Sequence, residues 1–412
     1  MTTLTSFFKT DLVDDHTAND VNVLIAAALR PEFANTETIT ATKTLTDNDC
    51  QFQFITASGA DRTVLLAPEA TSNHITVVYN AGASNNVLVK DDSNTTTFIV
   101  LAADEWVLML PLNAEGWKIM NTSLHNSPIT PGGRLTLTSG TPVTTSDVTG
   151  ATSVYYTPYT NNNIQLWDGL YWMTLRFSET TLALGTVTSA LPYDVFAYLS
   201  AGVLALEKLA WTNATTRATA ITLQDGRYCK SGDKTRLYLG TFYTTSTTTT
   251  EDSGGGSTTQ VGGKRFLWNM YNRVERWLSV IDTTDSWSYT TDTIRQANAA
   301  AGNKVEFFLG LALEAVKADL RSTALIKSNS AKVAKSGIGL DSTTAFSGVV
   351  QGGYNAAATD LYTPLGGKYS GNPAVGYHYL AWNEKGADGT STFVGDNAAN
   401  GIQSGLVAEL FA

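Results

Sequence analysis

The sequence is poor in cysteine and lacks any long apolar run. Cys50 and Cys229 are its only cysteines, and their spacing fits no metal-ligand motif. No secretion signal is visible, so we expect two thiols rather than a disulfide. No stretch reaches the roughly 18 consecutive apolar residues that cross a bilayer, and insertion into a membrane is therefore not expected.

An excess of positive charge is also missing. The chain carries 27 Lys and Arg residues against 37 Asp and Glu residues, which gives a net charge of −10. Nucleic acid is bound by basic surfaces that displace counterions, so a nucleic-acid partner is not expected. Charged residues make up only 16% of the chain, and Thr, Ser, Asn and Gly take their place. Such a composition is typical of all-β proteins with many turns.

Signatures of catalysis are missing as well. The four histidines are scattered without a second His or Cys at ligand spacing, and the sequence contains neither a phosphate-binding loop nor a Gly-x-Ser-x-Gly motif. His378, between Tyr377 and Tyr379, is interpreted as a strand residue. We therefore expect no metal, no cofactor and no enzymatic activity.

Three pairs of carboxylates keep a hydrolytic alternative open, because glycan-cleaving spikes use two acids. The pairs are Asp282 with Asp285, Asp388 with Asp396, and Glu251 with Asp252. Asp282 and Asp285 flank a turn, where Asp commonly bonds to its own backbone, so turn chemistry is the preferred interpretation. No solenoid repeat of the kind found in such spikes is visible.

Short alternating segments are what the sequence has in abundance. Between residues 36 and 125, segments such as 51–55 alternate in polarity and are separated by turn clusters, which predicts a small β-sandwich or jelly roll. Residues 20–30 predict a short helix that Asp20 caps and Pro31 ends. The predicted fold class is all-β, with modular antiparallel β-sandwich or jelly-roll domains and a short N-terminal helical anchor.

Later segments carry further predictions. Residues 244–256 are of low complexity and predict an exposed loop. Residues 266–278 have an amphipathic pattern but are interpreted as strand and turn. Residues 305–313 fit a buried strand and residues 314–320 a helical turn, which periodicity alone does not separate. The predicted domains are an anchoring segment, a small β-domain, a β-rich body and a distal β-rich domain, at residues 1–35, 36–125, 131–330 and 336–412.

The most specific pattern lies between Pro131 and Gly169. The segment GGRLTLTSGTPV is followed by VYYTPY, a polar turn and LWDG. This order resembles a module of virion proteins from tailed bacteriophages and prophages, which are described as tail fibres, head fibres or minor structural proteins. The resemblance extends more loosely over residues 264–291 and 376–386.

The resemblance implies a non-enzymatic structural component of a virion, assembled in the host cytoplasm. It implies a homotrimeric fibre or spike that is attached to the head or tail and contributes to adhesion to the host surface. In this interpretation the N-terminal helix contacts a capsid or tail protein, and a surface polysaccharide is a candidate host ligand. Three classes compete: a head fibre or decoration protein, a tail receptor-binding protein specific for a glycan, and a glycan-depolymerising spike.

Two sets of residues are candidates for these contacts. Aromatic rings can stack on sugars, although in all-β domains the same residues also fill cores and interfaces. The candidate glycan contacts are Trp167, Tyr171, Trp172, Tyr377, Tyr379 and Trp382. The candidate virion-anchoring residues are Val21, Val23, Leu24, Ile25 and Leu29.

Overall fold

The computed structural model describes residues 34–72, 74–112, 116–122, 129–169, 172–200, 202–256, 260–328, 332–386, 391–397, 399 and 401–412. These residues form β-strands joined by turns, with one short 3-10 helix at Ala297–Ala299, and the all-β fold class is confirmed. No helix in these ranges is long and apolar enough to span a membrane. The predicted N-terminal helix lies outside the described residues, as do the anchoring residues Val21, Val23, Leu24, Ile25 and Leu29.

The described chain divides into two compact units. Unit 1 contains residues 34–122 and 172–176, and unit 2 contains residues 129–169 and 177–412, within the ranges given above. The strands of unit 1 are β1 (Ala34–Ile39), β2 (Lys43–Thr44), β3 (Phe52–Ala57), β4 (Arg62–Leu65), β5 (Thr76–Asn80), β6 (Val87–Lys90), β7 (Thr97–Leu101), β8 (Trp106–Leu112), β9 (Gly116–Thr122) and β14 (Trp172–Arg176).

Unit 1 is built from strands that stack in parallel. β1, β3 and β5 run parallel in one sheet, and β2, β4 and β6 run parallel in a second, like three rungs of a short solenoid. The parallel pairing of these six strands corrects the antiparallel pairing expected for residues 36–125. Ala34 pairs with Phe52, 18 residues on, whereas Phe52 pairs with Val77, 25 residues on. Rungs of unequal length leave no fixed period in the sequence.

Antiparallel strands complete unit 1 and its core. β8 pairs with β5 and β9, and β7 pairs with β6. Alternate side chains point inward, so Ile55, Val89 and Val107 are fully buried in one hydrophobic cluster. The indole Nε1 of Trp117 donates to the carbonyl oxygen of Ala67 over 2.8 Å and joins the last strand to this core.

Unit 2 contains the remaining strands. They are β10 (Gly133–Thr136), β11 (Val148–Ala151), β12 (Ser153–Pro158), β13 (Asn163–Trp167), β15 (Thr180–Ala183), β16 (Pro192–Ser200), β17 (Val203–Ala210), β18 (Ile221–Gln224), β19 (Arg227–Lys230), β20 (Asp233–Tyr243), β21 (Thr250–Gly255), β22 (Gly262–Arg265), β23 (Leu267–Asn269), β24 (Glu275–Ile281), β25 (Ser286–Ser288), β26 (Ile294–Gln296), β27 (Lys304–Leu309), β28 (Val316–Ile326), β29 (Ala334–Leu340), β30 (Val349–Gly353), β31 (Leu361–Gly371), β32 (Gly376–Lys385), β33 (Ser391–Val394), β34 (Asp396–Asn397), β35 (Ile402–Gln403) and β36 (Gly405–Phe411).

One large sheet of unit 2 folds over on itself as a β-sandwich. Its central order is β27-β32-β29-β30-β31-β28, and β36 and β24 continue it beyond β28. Phe307 and Trp382 from one part of the sheet share a hydrophobic core with Leu320 and Leu406 from the other. A smaller sheet, β17-β16-β20-β19-β18 with β23, adds Phe196 to the same core.

The sandwich corrects the predicted domain boundary. Strands from residues 131–330 and from residues 336–412 alternate within the large sheet, so these ranges form one unit and not two. The helical turn expected at residues 314–320 is wrong, because the chain enters strand β28 at Val316 and the burial of its side chains alternates along that strand. Residues 266–278 are strand and turn, as predicted. The loop expected at residues 244–256 contains the largely buried strand β21, whose Asp252 pairs with the buried Arg265 and Arg276.

The PGGRL segment that carries the resemblance is a packing centre of unit 2. The side-chain amide of Asn269 bonds to both backbone groups of Leu135, and that of Asn272 donates to the carbonyls of Pro131 and Gly133. A Cβ atom at Gly133 would lie 2.4 Å from the Tyr156 ring. Glycine is therefore required by close packing, since any side chain would displace this ring.

Candidate functional site

Four neighbouring strands of the large sheet present one side to solvent. β24 pairs with β36, β36 with β28, and β28 with β31, all antiparallel. Side chains of a strand alternate between the two faces of a sheet. In β28, Ala318 and Leu320 therefore join the core, while Lys317, Asp319 and Arg321 point outward. We call the solvent-facing side of these four strands the outer face.

The outer face carries an exposed tryptophan. Trp277 is 64% exposed, whereas the other eight of the nine tryptophans are buried or half-buried. Trp277 pairs with Glu409, which makes Val407 and Phe411 its diagonal neighbours. These two side chains are 47% and 42% exposed. Grouped apolar side chains that remain in water indicate a surface for an interaction.

Charged side chains of alternating sign occupy the centre of the outer face. The Lys317 ammonium lies 3.0 Å from the Glu409 carboxylate, and the Lys368 ammonium lies 3.3 Å from the Asp319 carboxylate. The Arg321 guanidinium approaches Asp319 at 3.8 Å. Such exposed ion pairs contribute only about 0–1 kcal/mol to stability. Their polar atoms remain accessible to a ligand.

Two grooves cross the outer face. One of about 540 Å³ lies between Val349, Lys368 and Glu409. The other, of about 700 Å³, adjoins Arg321 and Gln403. Both volumes fall within the roughly 300–1,000 Å³ of known small-molecule sites. The outer face is therefore large and concave enough to accept a ligand.

Two of the predicted aromatic contacts belong to the interior. Trp382 is fully buried, and its indole Nε1 donates to the Ser336 hydroxyl over 2.9 Å. Trp172 is also buried. Burial removes both rings from any ligand in solution, which corrects their assignment as glycan contacts. Tyr171 lies outside the described residues.

The other predicted aromatic contacts are half-buried and lie on strands away from the outer face. Tyr377 stacks on Tyr243 at 5.0 Å between ring centroids, and its hydroxyl donates to the Glu306 carboxylate. The ring of Tyr379 lies 5.1 Å from the Lys304 ammonium. Trp167 ends strand β13. Trp167, Tyr377 and Tyr379 remain predicted glycan contacts.

Carboxylates from two of the pairs that suggested a hydrolase are engaged in hydrogen bonds or ion pairs with the protein. Asp282 is fully buried and accepts hydrogen bonds from the backbone N–H of Thr284 and the side chains of Gln260, Asn298 and Asn303. This geometry agrees with the interpretation as turn chemistry. A carboxylate whose lone pairs are occupied in this way holds a loop together.

The second pair, Glu251 and Asp252, is also bound by neighbouring side chains. Glu251 accepts from Ser253 and Lys264, while Asp252 pairs with Arg265 and Arg276. Both carboxylates thus stabilise strand β21. In the third pair, Asp388 lies outside the described residues. Within the described ranges, no group of three or more His, Cys, Asp or Glu side chains is arranged to hold a metal ion.

The two cysteines are not joined by a disulfide. Cys229 is fully buried in β19, and burial raises the pKa of its thiol to about 12. A thiol with such a pKa stays protonated at neutral pH and is a poor nucleophile. Cys229 therefore acts as a small apolar core residue.

His378 occupies strand β32, as predicted, with both ring nitrogens engaged. Its Nδ1 lies 2.8 Å from the Asp341 carboxylate and its Nε2 lies 2.7 Å from the Ala374 carbonyl oxygen. Burial lowers the pKa of His378, but the Asp341 carboxylate and the Ala374 carbonyl raise it further, and the net direction is upward. The ring carries two N–H donors when it is protonated, which suits two acceptors.

This arrangement predicts a pH-dependent stability. Because the folded pKa of His378 lies above its unfolded value of about 6.5, its contribution is fully present below that pH and is lost as the pH rises through the folded pKa. We expect the urea midpoint of unit 2 to fall between pH 6 and pH 8.5. A His378→Gln variant should lose most of this difference, and an equal pH response in both proteins would contradict the assignment.

Comparisons with known proteins leave the function open. No protein-family model matches the sequence, and no curated protein matches it. The chain is similar to the crystal structure of the insecticidal delta-endotoxin Cry8Ea1 from Bacillus thuringiensis, with 7% identity and a TM-score of 0.19. The match covers 69% of this chain and 52% of the endotoxin, so this chain corresponds to about half of that structure. A likeness this distant transfers no function.

Sequence reasoning missed Trp277 as a candidate for binding. In its segment, Glu275–Ile281, Trp277 is in phase with Glu275 and Ser279, but the charged Arg276 shares the other phase with Leu278 and Val280. The pattern of polar and apolar residues therefore does not mark the exposed face of this strand, and no local signal identifies Trp277. Of the tryptophans chosen instead, Trp167 and Trp172 lie at strand ends, and Trp382 is in phase with His378 and Glu384.

Proposed function

We propose that this protein is a non-enzymatic structural component of a tailed-phage virion, a fibre or spike that contributes to adhesion to the host surface. The observation that carries the proposal is the open outer face around Trp277 on a body built almost wholly of hydrogen-bonded strands. An all-β body with an accessible face suits a structural part that contacts another surface. The resemblance of residues 131–169 to virion modules supports the same assignment.

The buried polar groups support a structural role. Asp282, Asp252 and Glu384 are all buried, and each is held by two or more neighbouring side chains. Buried polar networks of this kind fix one arrangement of a core, and protein groups engage each of these acids. The proposed protein is a homotrimer that attaches to a capsid or tail protein through its N-terminal segment.

A glycan-specific tail receptor-binding protein is the second candidate. The exposure of Trp277 favours it, because an aromatic ring on an open sheet is a platform for a sugar. A decoration protein that only stabilises the shell has no need of such a ring. The third class, a glycan-depolymerising spike, is not favoured by any arrangement of acids in the described residues.

Particle association tests the proposed function. Virions of the parent phage, or particles induced from a prophage that carries the gene, are purified on a density gradient and labelled with antibodies against this protein. We expect the protein to sediment with intact particles and the label to appear at the head or tail. A protein that stays in the soluble fraction while particles form normally would contradict the proposal.

A further inference from the structure

We infer that the outer face binds an uncharged oligosaccharide that lies across its four strands, from Trp277 towards Val349. This inference deepens the adhesive role proposed above and rests on it for its biological meaning. It assigns the ligand class and the residues that recognise it. The argument depends on the accessibility of one ring, on the polar groups beside it, on the size of the face and on its charge.

Trp277 provides the stacking platform. Sugar rings present faces of C–H groups that pack against the π-face of an aromatic ring. Trp277 is 64% exposed and belongs to a strand whose backbone is paired with β36. Its position is therefore fixed while the ring remains open to solvent. Preorganisation of this kind reduces the entropy lost when a ligand binds.

The groups that follow Trp277 across the sheet match sugar hydroxyls. The register places Glu409 beside Trp277 and Lys317 beside Glu409. The next row contains Asp319 and Lys368. A hydroxyl both donates and accepts hydrogen bonds, so alternating carboxylates and ammonium groups satisfy both of its functions. These charges are 43–75% exposed and can bind without first being uncovered.

The dimensions fit a short oligosaccharide. Four adjacent strands span three gaps, on the order of 14 Å in total, which accommodates about three sugar rings. The groove of about 540 Å³ is lined by Glu409, which lies beside Trp277, and extends to Lys368 and Val349 on the strands beyond it. A sugar chain that begins on Trp277 would thus end in a concave pocket.

The charge of the face selects against acidic ligands. Three basic side chains, Lys317, Arg321 and Lys368, are balanced by Glu275, Asp319 and Glu409, and the whole chain has a net charge of −10. A polyanion requires an excess of positive charge. The ligand is therefore uncharged.

A second copy of the chain fits the outer face less well. Lys, Asp and Glu are depleted at the centres of protein interfaces, where desolvation of charges is costly. Here four such side chains, Lys317, Asp319, Lys368 and Glu409, occupy the centre. A hydrated sugar leaves these ion pairs partly in water, whereas a packed protein surface would bury them.

The test uses the full-length protein and a glycan array of bacterial surface polysaccharides. Maltotriose, cellotriose and the N-acetylglucosamine trimer serve as defined uncharged probes in solution. Because Trp277 is the one exposed tryptophan of nine, acrylamide quenches its share of the emission most strongly, and a change in quenching reports on binding. We expect at least one uncharged glycan to bind, with a blue shift of the emission and reduced quenching by acrylamide.

Three variants locate the site. Trp277→Ala should weaken binding at least tenfold, and Lys317→Ala with Lys368→Ala should weaken it several-fold. Tyr159→Ala removes an aromatic ring that is 42% exposed in the turn after β12, away from the outer face, and should leave binding unchanged. Circular dichroism melts confirm that each variant folds, so a loss of binding by Trp277→Ala is not a loss of structure.

Defined outcomes would overturn the inference. They are the absence of any Trp277-dependent binding across the array, exclusive binding of acidic glycans, or affinity that survives in Trp277→Ala. An oligomer that dissociates on Trp277→Ala, measured by light scattering, would assign the face to a second copy instead. The virion test is independent: a particle-bound protein that binds no sugar retains the proposed structural function, and a sugar-binding protein absent from particles loses it.

Discussion

Replacement of Trp382 by alanine is expected to lower the free energy of unfolding by about 3–5 kcal/mol, the usual cost of removing a buried aromatic side chain. Trp382 is fully buried and packs edge-to-face on Trp287, with ring centroids 5.9 Å apart. Its loss would also leave the Ser336 hydroxyl without the indole N–H that now donates to it. The cavity and the lost hydrogen bond both lower the free energy of unfolding.

Urea denaturation monitored by circular dichroism measures this cost. The matched control is Trp277→Ala, the same substitution on an exposed strand position, and its effect should stay within about 1 kcal/mol because little surface is uncovered. Equal losses in the two variants would contradict the assignment of Trp382 to the core and of Trp277 to the surface. A loss of sugar binding without a loss of stability in Trp277→Ala, and a loss of stability in Trp382→Ala, would separate the binding role of Trp277 from the core role of Trp382.

These two tryptophans show what the sequence could and could not establish. The segments around Trp277 and Trp382 both read as strands, and both are strands. Which side of a strand faces the core depends on its partners, and the partners lie far away in sequence. Trp382 lies on β32, whose faces are covered, whereas Trp277 lies on β24 beside the distant strand β36. Local alternation therefore predicts the element but not its exposed face.

Long-range pairing explains the remaining corrections. The fold class followed from alternation and turn residues, which act locally. The domain boundary expected near residue 330 failed because β36 inserts between β24 and β28, so the end of the chain completes a sheet begun earlier. In unit 1, unequal rungs concealed the parallel stacking of β1, β3 and β5. Neither strand pairing can be predicted from the local pattern of polar and apolar residues.

Replacement of Asp252 by alanine is expected to cost about 3–5 kcal/mol of unfolding free energy, as for other broken buried ion pairs. Its carboxylate lies 3.1 Å from the Arg265 guanidinium and 2.9 Å from that of Arg276, and all three side chains are no more than 10% exposed. Burial lowers the pKa of Arg134 to about 10, the charge of Arg276 adds to this, and the Asp252 carboxylate opposes it. One anion thus stabilises several buried cations.

Thermal and urea melts of Asp252→Ala measure the effect, with Glu409→Ala as the control for an exposed ion pair, whose loss should cost below about 1 kcal/mol. The double variant Asp252→Ala/Arg276→Met identifies the cause. If the cost arises from buried guanidinium groups left without an anion, removal of one of them should restore part of the stability. A double variant less stable than Asp252→Ala would show that Arg276 stabilises unit 2 chiefly through its hydrogen bonds to the carbonyl and hydroxyl oxygens of Thr144. Arg276 would then stabilise unit 2 by holding Thr144 in place, and not by balancing the charge of Asp252.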